Sequence, residues 1–364
     1  MFSRSSDLRA RVCDTYGLRK ATRADLNTQF YLVAFRKMAI MVPSSMERNL
    51  ALEFVRVTEA AAIAASEWIG KGDAKAADGA AVDAMRSRFN DIDFSGVVVI
   101  GEGSKDEAPE LYTGEKIGKG GEPELDIAVD PLECTDSVAY GRYNAICVAA
   151  SGPRGSLFSA PDTYMLKISV GPPAKNVIDL DAPVADNLKK VAQALGKDID
   201  DVTVVVLDRP RHEQIIKDIR AAGARVRLIT DGDVAGGVAP CMPKSGIDVM
   251  MGIGGSTEAV LAAVPLKIMG GEILCRFKER DEKYAEKQAE LLAAAGLKKD
   301  TIYSSETLAK GKDLGFTATG VIDGPLLSGV RQTDEGITLT HSMVVRGQSE
   351  TIRYITTHHT HHTR

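Results

Sequence analysis

The sequence predicts an α/β fold, α+β in its first half, and three observations carry that prediction. From about Val202 β-branched runs alternate with helical stripes: strand Val202 to Leu207, helix Glu213 to Ala222, strand Arg225 to Ile229, helix Val234 to Cys241, strand Ile247 to Met251. Such alternation gives an open sheet with crossover helices. Ahead of it the order differs, because two helical stripes come first and a group of strands follows. Finally, 364 residues that are 44% hydrophobic and 26% charged are enough for more than one core beneath a mixed-charge surface.

In chain order, Ser44 and Glu47 have capping-box spacing, and Leu50, Phe54, Val57, Ala61, Ala65 and Trp68 recur at three- or four-residue steps. This predicts an amphipathic helix, stopped by Gly70 and Gly72. Ala77, Ala80, Ala81, Ala84, Met85 and Phe89 mark a second helix, and Val97 to Ile100 a short buried strand running into Gly101-Glu102-Gly103. The next strand, Leu125 to Val129, ends at Asp130-Pro131, since proline has no N–H to continue a ladder. Strands Ala145 to Ala150 and Tyr164 to Val170 follow, separated by a Gly152-Pro153-Arg154-Gly155 turn. Beyond the alternating units come helix Glu258 to Met269, strand Ile273 to Phe277, and a charged stretch, Lys278 to Leu297, that reads as a solvent-exposed helix. Strands near Gly315 to Thr319, Ile337 to Val345 and Thr351 to Ile355 complete a sheet. The parts are then an extension (1–45), an α+β part (46–165), an α/β part (166–277), an exposed helix with closing strands (278–356) and an unstructured His-containing tail (357–364).

Charge and composition exclude several functions. A formal net charge of -5 argues against a general nucleic-acid binder, and no apolar run is long enough to cross a bilayer. The expected partner is a small molecule. Cys13, Cys134, Cys147, Cys241 and Cys275 form no C-x-x-C pair, which fits a reducing, cytoplasmic setting. Residues 1–45 carry eight Lys or Arg against three acids, the composition of an organellar transit peptide or of a plain extension; Met38, Met41 and Met46 favour the extension.

The most informative segment is Asp130-Pro131-Leu132-Glu133-Cys134-Thr135-Asp136-Ser137, placed directly after an apolar strand. Sites in α/β proteins are built at strand ends. A chain leaving the sheet at Pro131 aims Asp130 and Glu133 at one point with the Thr135 hydroxyl nearby, a hard-oxygen set suited to Mg²⁺ or Mn²⁺. A solvent-facing turn is the bland alternative. Asp78 on the second helix and Glu102 between two glycines are each unremarkable alone, but as further carboxylates they turn the odds toward a cation site. Gly252-Ile253-Gly254-Gly255-Ser256-Thr257-Glu258, between a strand and a helix, offers backbone N–H groups to a phosphate and Glu258 as another ligand. A dinucleotide fingerprint fails there, because Thr257 stands where its third glycine belongs. Arg209-Pro210-Arg211-His212 follows a strand and can clamp a phosphate, and Asp231-Gly232-Asp233 can read sugar hydroxyls or bind metal; an exposed basic turn and an Asx turn are the plainer alternatives. His212 reads as a helix-start residue, since no nucleophilic serine stands beside it.

Asp130 to Thr135 resembles the D-P-[IL]-[DE]-G-T signature of the lithium-sensitive sugar phosphatases, which include inositol monophosphatases and fructose bisphosphatases. Over residues 46 to 356 the chain is similar to the class II fructose-1,6-bisphosphatases. The shared segments are R-V-T-E at Arg56 to Glu59, A-D-G-A-A-V at Ala77 to Val82, I-G-E-G at Ile100 to Gly103, A-P-D-x-Y-M at Ala160 to Met165, P-R-H at Pro210 to His212, D-G-D at Asp231 to Asp233 and G-I-G-G at Gly252 to Gly255. D-R-P-R-H at Asp208 to His212 and G-A-R-V-R at Gly223 to Arg227 look like the cyanobacterial enzymes that also take sedoheptulose-1,7-bisphosphate. The resemblance implies a layered αβαβα sandwich, a homo-oligomer (dimer or tetramer), and metal-dependent removal of the 1-phosphate of fructose-1,6-bisphosphate in gluconeogenesis. It implies metal ligands at Asp78, Glu102, Asp130, Glu133 and Glu258, two Mn²⁺ or Mg²⁺ per site, and catalytic roles for Thr135, Glu102 and Asp78. Substrate contacts are implied at Glu133, Cys134, Thr135, Tyr164, Arg209, Pro210, Arg211, Asp231, Gly232, Asp233 and Gly255. Cys134 stands where the family has glycine, Ser104-Lys105 replaces a more charged pair, and Ser256-Thr257-Glu258-Ala259 replaces A-P-E-G. An inositol-type monophosphatase and a catalytically impaired sugar-phosphate-binding protein are the competing readings.

Overall fold

The computed structural model describes residues 45–102 and 111–360; expectations for residues 1–44, for Gly103 to Lys105 and for the last four residues lie outside them. Two helices enter first, α1 (Ser45–Ser66) and α2 (Ala74–Phe89), the second capped by the Asp73 carboxylate, which accepts from the Ala76 N–H at 2.9 Å. Their apolar stripes meet one face of an eight-stranded sheet. That sheet joins β1 (Ser95–Ile100), β2 (Lys116–Ile117), β3 (Glu124–Glu133), β4 (Ala145–Pro153), β11 (Gly315–Ile322), β12 (Arg331–Gln332), β13 (Thr338–Arg346) and β14 (Thr351–His359) in the order β12-β13-β11-β4-β3-β1-β2, with β14 also paired to β13. Only β1 and β3 run parallel.

A second, six-stranded sheet holds β5 (Tyr164–Val170), β6 (Thr203–Leu207), β7 (Arg225–Ile229), β8 (Val249–Gly255), β9 (Glu272–Phe277) and β10 (Tyr303–Ser304) in the order β10-β9-β5-β8-β6-β7. Its β6 pairs in parallel with both β7 and β8, as the crossover pattern requires, while β5 and β9 are antiparallel additions. The remaining helices are α3 (Thr135–Ala139), α4 (Val184–Leu195), α5 (Glu213–Ala221), α6 (Asp233–Val238), α7 (Ser256–Ile268), α8 (Ala285–Ala294) and α9 (Ser305–Leu308).

Strand alternation sorts the buried side chains into layers. Val129, Cys147 and Ala149 point into a core with Phe54 and Val57 of α1 and Met85 and Phe89 of α2, where Phe54 packs edge-on against Phe89 and Phe94 at 5.6 and 5.4 Å. Their neighbours Ala128, Ile146, Val148 and Ala150 face the opposite way, into a core shared with α6, α7 and the second sheet's Met165, Ile273 and Phe277. On that sheet's far face Ile168, Val204, Val206 and Met251 meet Leu188 and Val191 of α4 and Ile216 and Ile219 of α5. Helices, sheet, helices, sheet, helices is the αβαβα sandwich the resemblance implied.

Four local expectations need correction. β3 does not stop at Asp130: it runs to Glu133 with Asp130 opposite Val148 and Glu133 opposite Ile146, so one extra residue is taken up there and Pro131 sits in a bulge. β8 runs past Met251 to Gly255, which puts Gly252 to Gly255 in the ladder against Lys167 to Tyr164 instead of in an open phosphate-binding loop. The first N–H of α7, on Ser256, is taken by Thr163 O at 2.9 Å. The charged stretch after Phe277 becomes α-helical only at Ala285, after a 3-10 turn at Glu282–Tyr284, and Gln288 and Leu292 are buried. Finally, β14 continues through His358 and His359, where Thr357 donates to Glu59 at 2.6 Å and the His359 ring lies 2.9 Å from Thr340 Oγ1.

Candidate active site

The two sheets deliver their acids to one cleft of about 460 Å³. Asp78 comes from the first turns of α2 and Glu102 from the end of β1. The β3 bulge supplies Asp130 and Glu133, and α3 begins at Thr135. From the second sheet come Asp231 after β7, Asp233 as the first residue of α6, and Glu258 in the first turn of α7. Asp136 and Asp162 also line the cleft.

So many carboxylates in one low-dielectric space repel one another and resist ionisation. Burial, then the charges of Asp78, Glu258 and Asp162, push Glu102 up to about 7. Asp130 is raised well above the ordinary range by burial and by Glu102, Glu133 and Glu258. Burial also raises Asp78, and raises Glu133 although Val234 and Ala235 at the start of α6 donate their N–H groups to its two oxygens. Glu258 is raised less freely, because Lys167 opposes burial. Lys167, 1% exposed, holds Asp233 Oδ2 at 2.5 Å, while Asp233 Oδ1 is buried without a partner.

β8 lets these acids approach because it has no side chains in their way. A Cβ on Gly254 would lie 1.7 Å from Asp233 Oδ2, and one on Gly255 1.7 Å from Glu258 Oε2. Cys134 sits at φ +73, ψ +48, the left-handed conformation that favours the glycine it replaces. Thr135 still lines the cleft, its hydroxyl donating to Leu132 O at 3.0 Å.

The basic candidates lie outside the acidic lining. Tyr164 pairs across the ladder with Gly255, and Arg211 donates from Nε and Nη2 to Ile253 O at 3.1 and 2.9 Å with its guanidinium 5.6 Å from the Tyr164 ring. Arg209 acts through charge on Asp231, partly offsetting the burial that raises it. Pro210 opens the short turn Pro210–His212, and Gly232, at φ +98, caps α6. His212 is structural: its ring lies 2.7 Å from Leu207 O and accepts the Ile253 N–H at 2.7 Å.

Sequence reasoning missed Asp162 and Lys167. Lys167 had a legible signal, the one charged residue in the middle of the strand Tyr164 to Val170. Asp162 stands inside the A-P-D segment.

A metal is implied by the resemblance. Among the described residues no three acids close on a single point as a preformed ligand cage. The donor set nonetheless fits a hard divalent cation, since it is all oxygen and the buried, mutually repelling Glu102 and Asp130 have no salt-bridge partner among the described residues.

Comparison with known proteins agrees with this chemistry. The family model described as bacterial fructose-1,6-bisphosphatase, glpX-encoded, matches residues 48–359. The chain is 44% identical over 323 residues to fructose-1,6-bisphosphatase 1 class 2 of Escherichia coli strain K12, covering 86% of this chain and 96% of that protein. The same figures hold for fructose-1,6-bisphosphatase class 2 of Shigella flexneri. No helix among the described residues is long and apolar enough to cross a membrane. With the acidic cleft at the meeting of two sheets and a family match across nearly all of the described chain, the protein belongs to the glpX-encoded bacterial fructose-1,6-bisphosphatase family and is a phosphoric monoester hydrolase.

Proposed function

We propose that the protein hydrolyses the 1-phosphate of fructose-1,6-bisphosphate to fructose 6-phosphate and inorganic phosphate with the help of Mg²⁺ or Mn²⁺, serves gluconeogenesis in a reducing cytoplasm, and accepts sedoheptulose-1,7-bisphosphate as well. The observation that carries this reading is the gathering of Asp78, Glu102, Asp130, Glu133 and Glu258 on one cleft. These five would hold the cations. When bound, divalent cations supply countercharge for the phosphoryl oxygens and acidify a water at neutral pH.

The chain's own groups do the rest. The Thr135 hydroxyl donates to Leu132 O, which leaves its lone pairs to accept from and orient the attacking water. Asp78 or Glu102 accepts the proton that this water gives up. The new bond is water oxygen to phosphorus, the bond that breaks is phosphorus to the C1 oxygen of the sugar, and that oxygen takes up a proton to leave as the C1 hydroxyl. Lys167 fixes Asp233 so that its unpartnered Oδ1 can take a sugar hydroxyl. Arg209, Arg211 and Tyr164 receive the phosphate that stays, and its binding positions the one that leaves.

The test is phosphate release from fructose-1,6-bisphosphate by metal-stripped protein with and without added Mg²⁺ or Mn²⁺. Release that needs the cation and falls by about a hundredfold or more in Glu102→Gln is expected. No release under either cation overturns the reading.

A further inference from the structure

Two arginines stand against Tyr164, and one of them, Arg280, has no part in the site so far. It belongs to the loop after β9, far in sequence from the Arg209 to Arg211 turn. Its Nη1 donates to the Tyr164 hydroxyl at 3.2 Å, and its guanidinium lies 5.4 Å from the Tyr164 ring and 4.9 Å from that of Tyr284. The two rings meet edge to face at 5.5 Å. Arg211 reaches the same Tyr164 ring at 5.6 Å. Two guanidiniums thus share one tyrosine, and the positive charge of Arg280 adds to burial and Arg209 in lowering the Arg211 pKa.

Gathering like charge costs free energy unless an anion is there to receive it. The only carboxylate in contact with the Arg280 guanidinium among the described residues is Asp281, at 3.3 Å from Nε, and the side chain remains 45% exposed. Arg211 has two of its nitrogens on Ile253 O, so its remaining Nη1 faces outward from that carbonyl without a hydrogen bond among the described residues. The cluster is also in the right place. Tyr164 is the ladder partner of Gly255, whose Cα lies against the Glu258 carboxylate, so this basic patch borders the acidic cleft. Tyr284 tightens the link by donating to Asp162 O at 3.4 Å.

We infer that Arg280 is a specificity residue: together with Arg211 and the Tyr164 hydroxyl it binds the phosphate that is not hydrolysed, and so selects a sugar bisphosphate over a monophosphate. The inference rests on the function proposed above and adds to it a residue from outside the shared motifs. A dianionic phosphate offers enough oxygens for both guanidiniums, and the stacking on Tyr164 and Tyr284 holds Arg280 ready in advance.

The experiment compares Arg280→Ala and Arg280→Lys with the unchanged protein, full chain with Mg²⁺ or Mn²⁺, on fructose-1,6-bisphosphate and on fructose 1-phosphate. Removing one charge-assisted hydrogen bond should raise KM for the bisphosphate about tenfold, with kcat changing much less, while kcat/KM for the monophosphate stays within about twofold. The lysine variant should recover part of the loss, since it keeps the charge without the planar fork. Equal losses on both substrates, or none on either, overturn the inference. Calorimetric binding of fructose 6-phosphate gives a readout free of turnover, and Arg280→Ala should weaken it by a similar factor. A protein whose fructose 6-phosphate affinity depends on Arg280 but which releases no phosphate refutes the reaction and keeps the subsite; one that turns over normally in Arg280→Ala refutes the subsite alone.

Discussion

Cys134 carries a conflict within one residue. Its backbone is left-handed at φ +73, where a side chain costs about 1 kcal/mol or more, yet the thiol is buried and receives the Asn144 amide at 3.7 Å. Two substitutions separate the terms. Cys134→Ala keeps the strain and loses the sulfur contacts, whereas Cys134→Gly loses the same contacts and relieves the strain. The glycine variant should therefore exceed the alanine variant in unfolding free energy by about 1 kcal/mol, read from urea denaturation; equal stabilities would show that the backbone is not strained. The substitution was legible in the sequence as a departure from a glycine-bearing signature, and its conformational consequence followed from that. What the sequence left hidden was the neighbour, because Asn144 lies ten residues away and meets the thiol only once β3 and β4 have paired.

At the level of elements, β8 shows where pattern reading stops. A run of Gly252, Gly254 and Gly255 lacks the side chains by which strands are recognised, so the residues looked like a loop although they pair regularly with β5. β3 misled in the same way, since Pro131 removes one ladder donor but a bulge absorbs it. Strands with ordinary side chains, such as Tyr164 to Val170 and Arg225 to Ile229, were legible to the residue. The glycines in β8 are there for space. Gly254→Ala would drive its Cβ into an Asp233 carboxylate that Lys167 holds in place, and should cost about 2–3 kcal/mol of stability along with most of the phosphate release. Gly79→Ala is the contrast: it lies within α2 with nothing within 4 Å of the new methyl and should stabilise by about 1 kcal/mol. Thermal unfolding of the pair checks both signs, and an unaffected Gly254→Ala would show that Asp233 moves freely.

For the molecule as a whole, the acid cluster sets the response to pH. A carboxyl raised in the folded state binds protons there that the unfolded chain has already released, so stability falls as pH rises through the interval between the two values. For Glu102 that interval runs from 4.5 to about 7, and the loss across it is roughly 3 kcal/mol in metal-free protein. Denaturant titrations at pH 5 and pH 7.5 should show that fall, with Glu102→Gln flattening it; a metal-free protein more stable at the higher pH would contradict the charge crowding described here. The αβαβα layering was legible only through resemblance, because local periodicity says which face of a helix is apolar and not which of two sheets receives it. Helix α7 answers to both. Its residues from Ala259 to Leu266 are buried in the core the two sheets share, and the same helix carries Glu258 at its opening turn. The consequence is mechanical: a drift in the packing of either sheet against this one rod is transmitted along it to a carboxylate of the cleft.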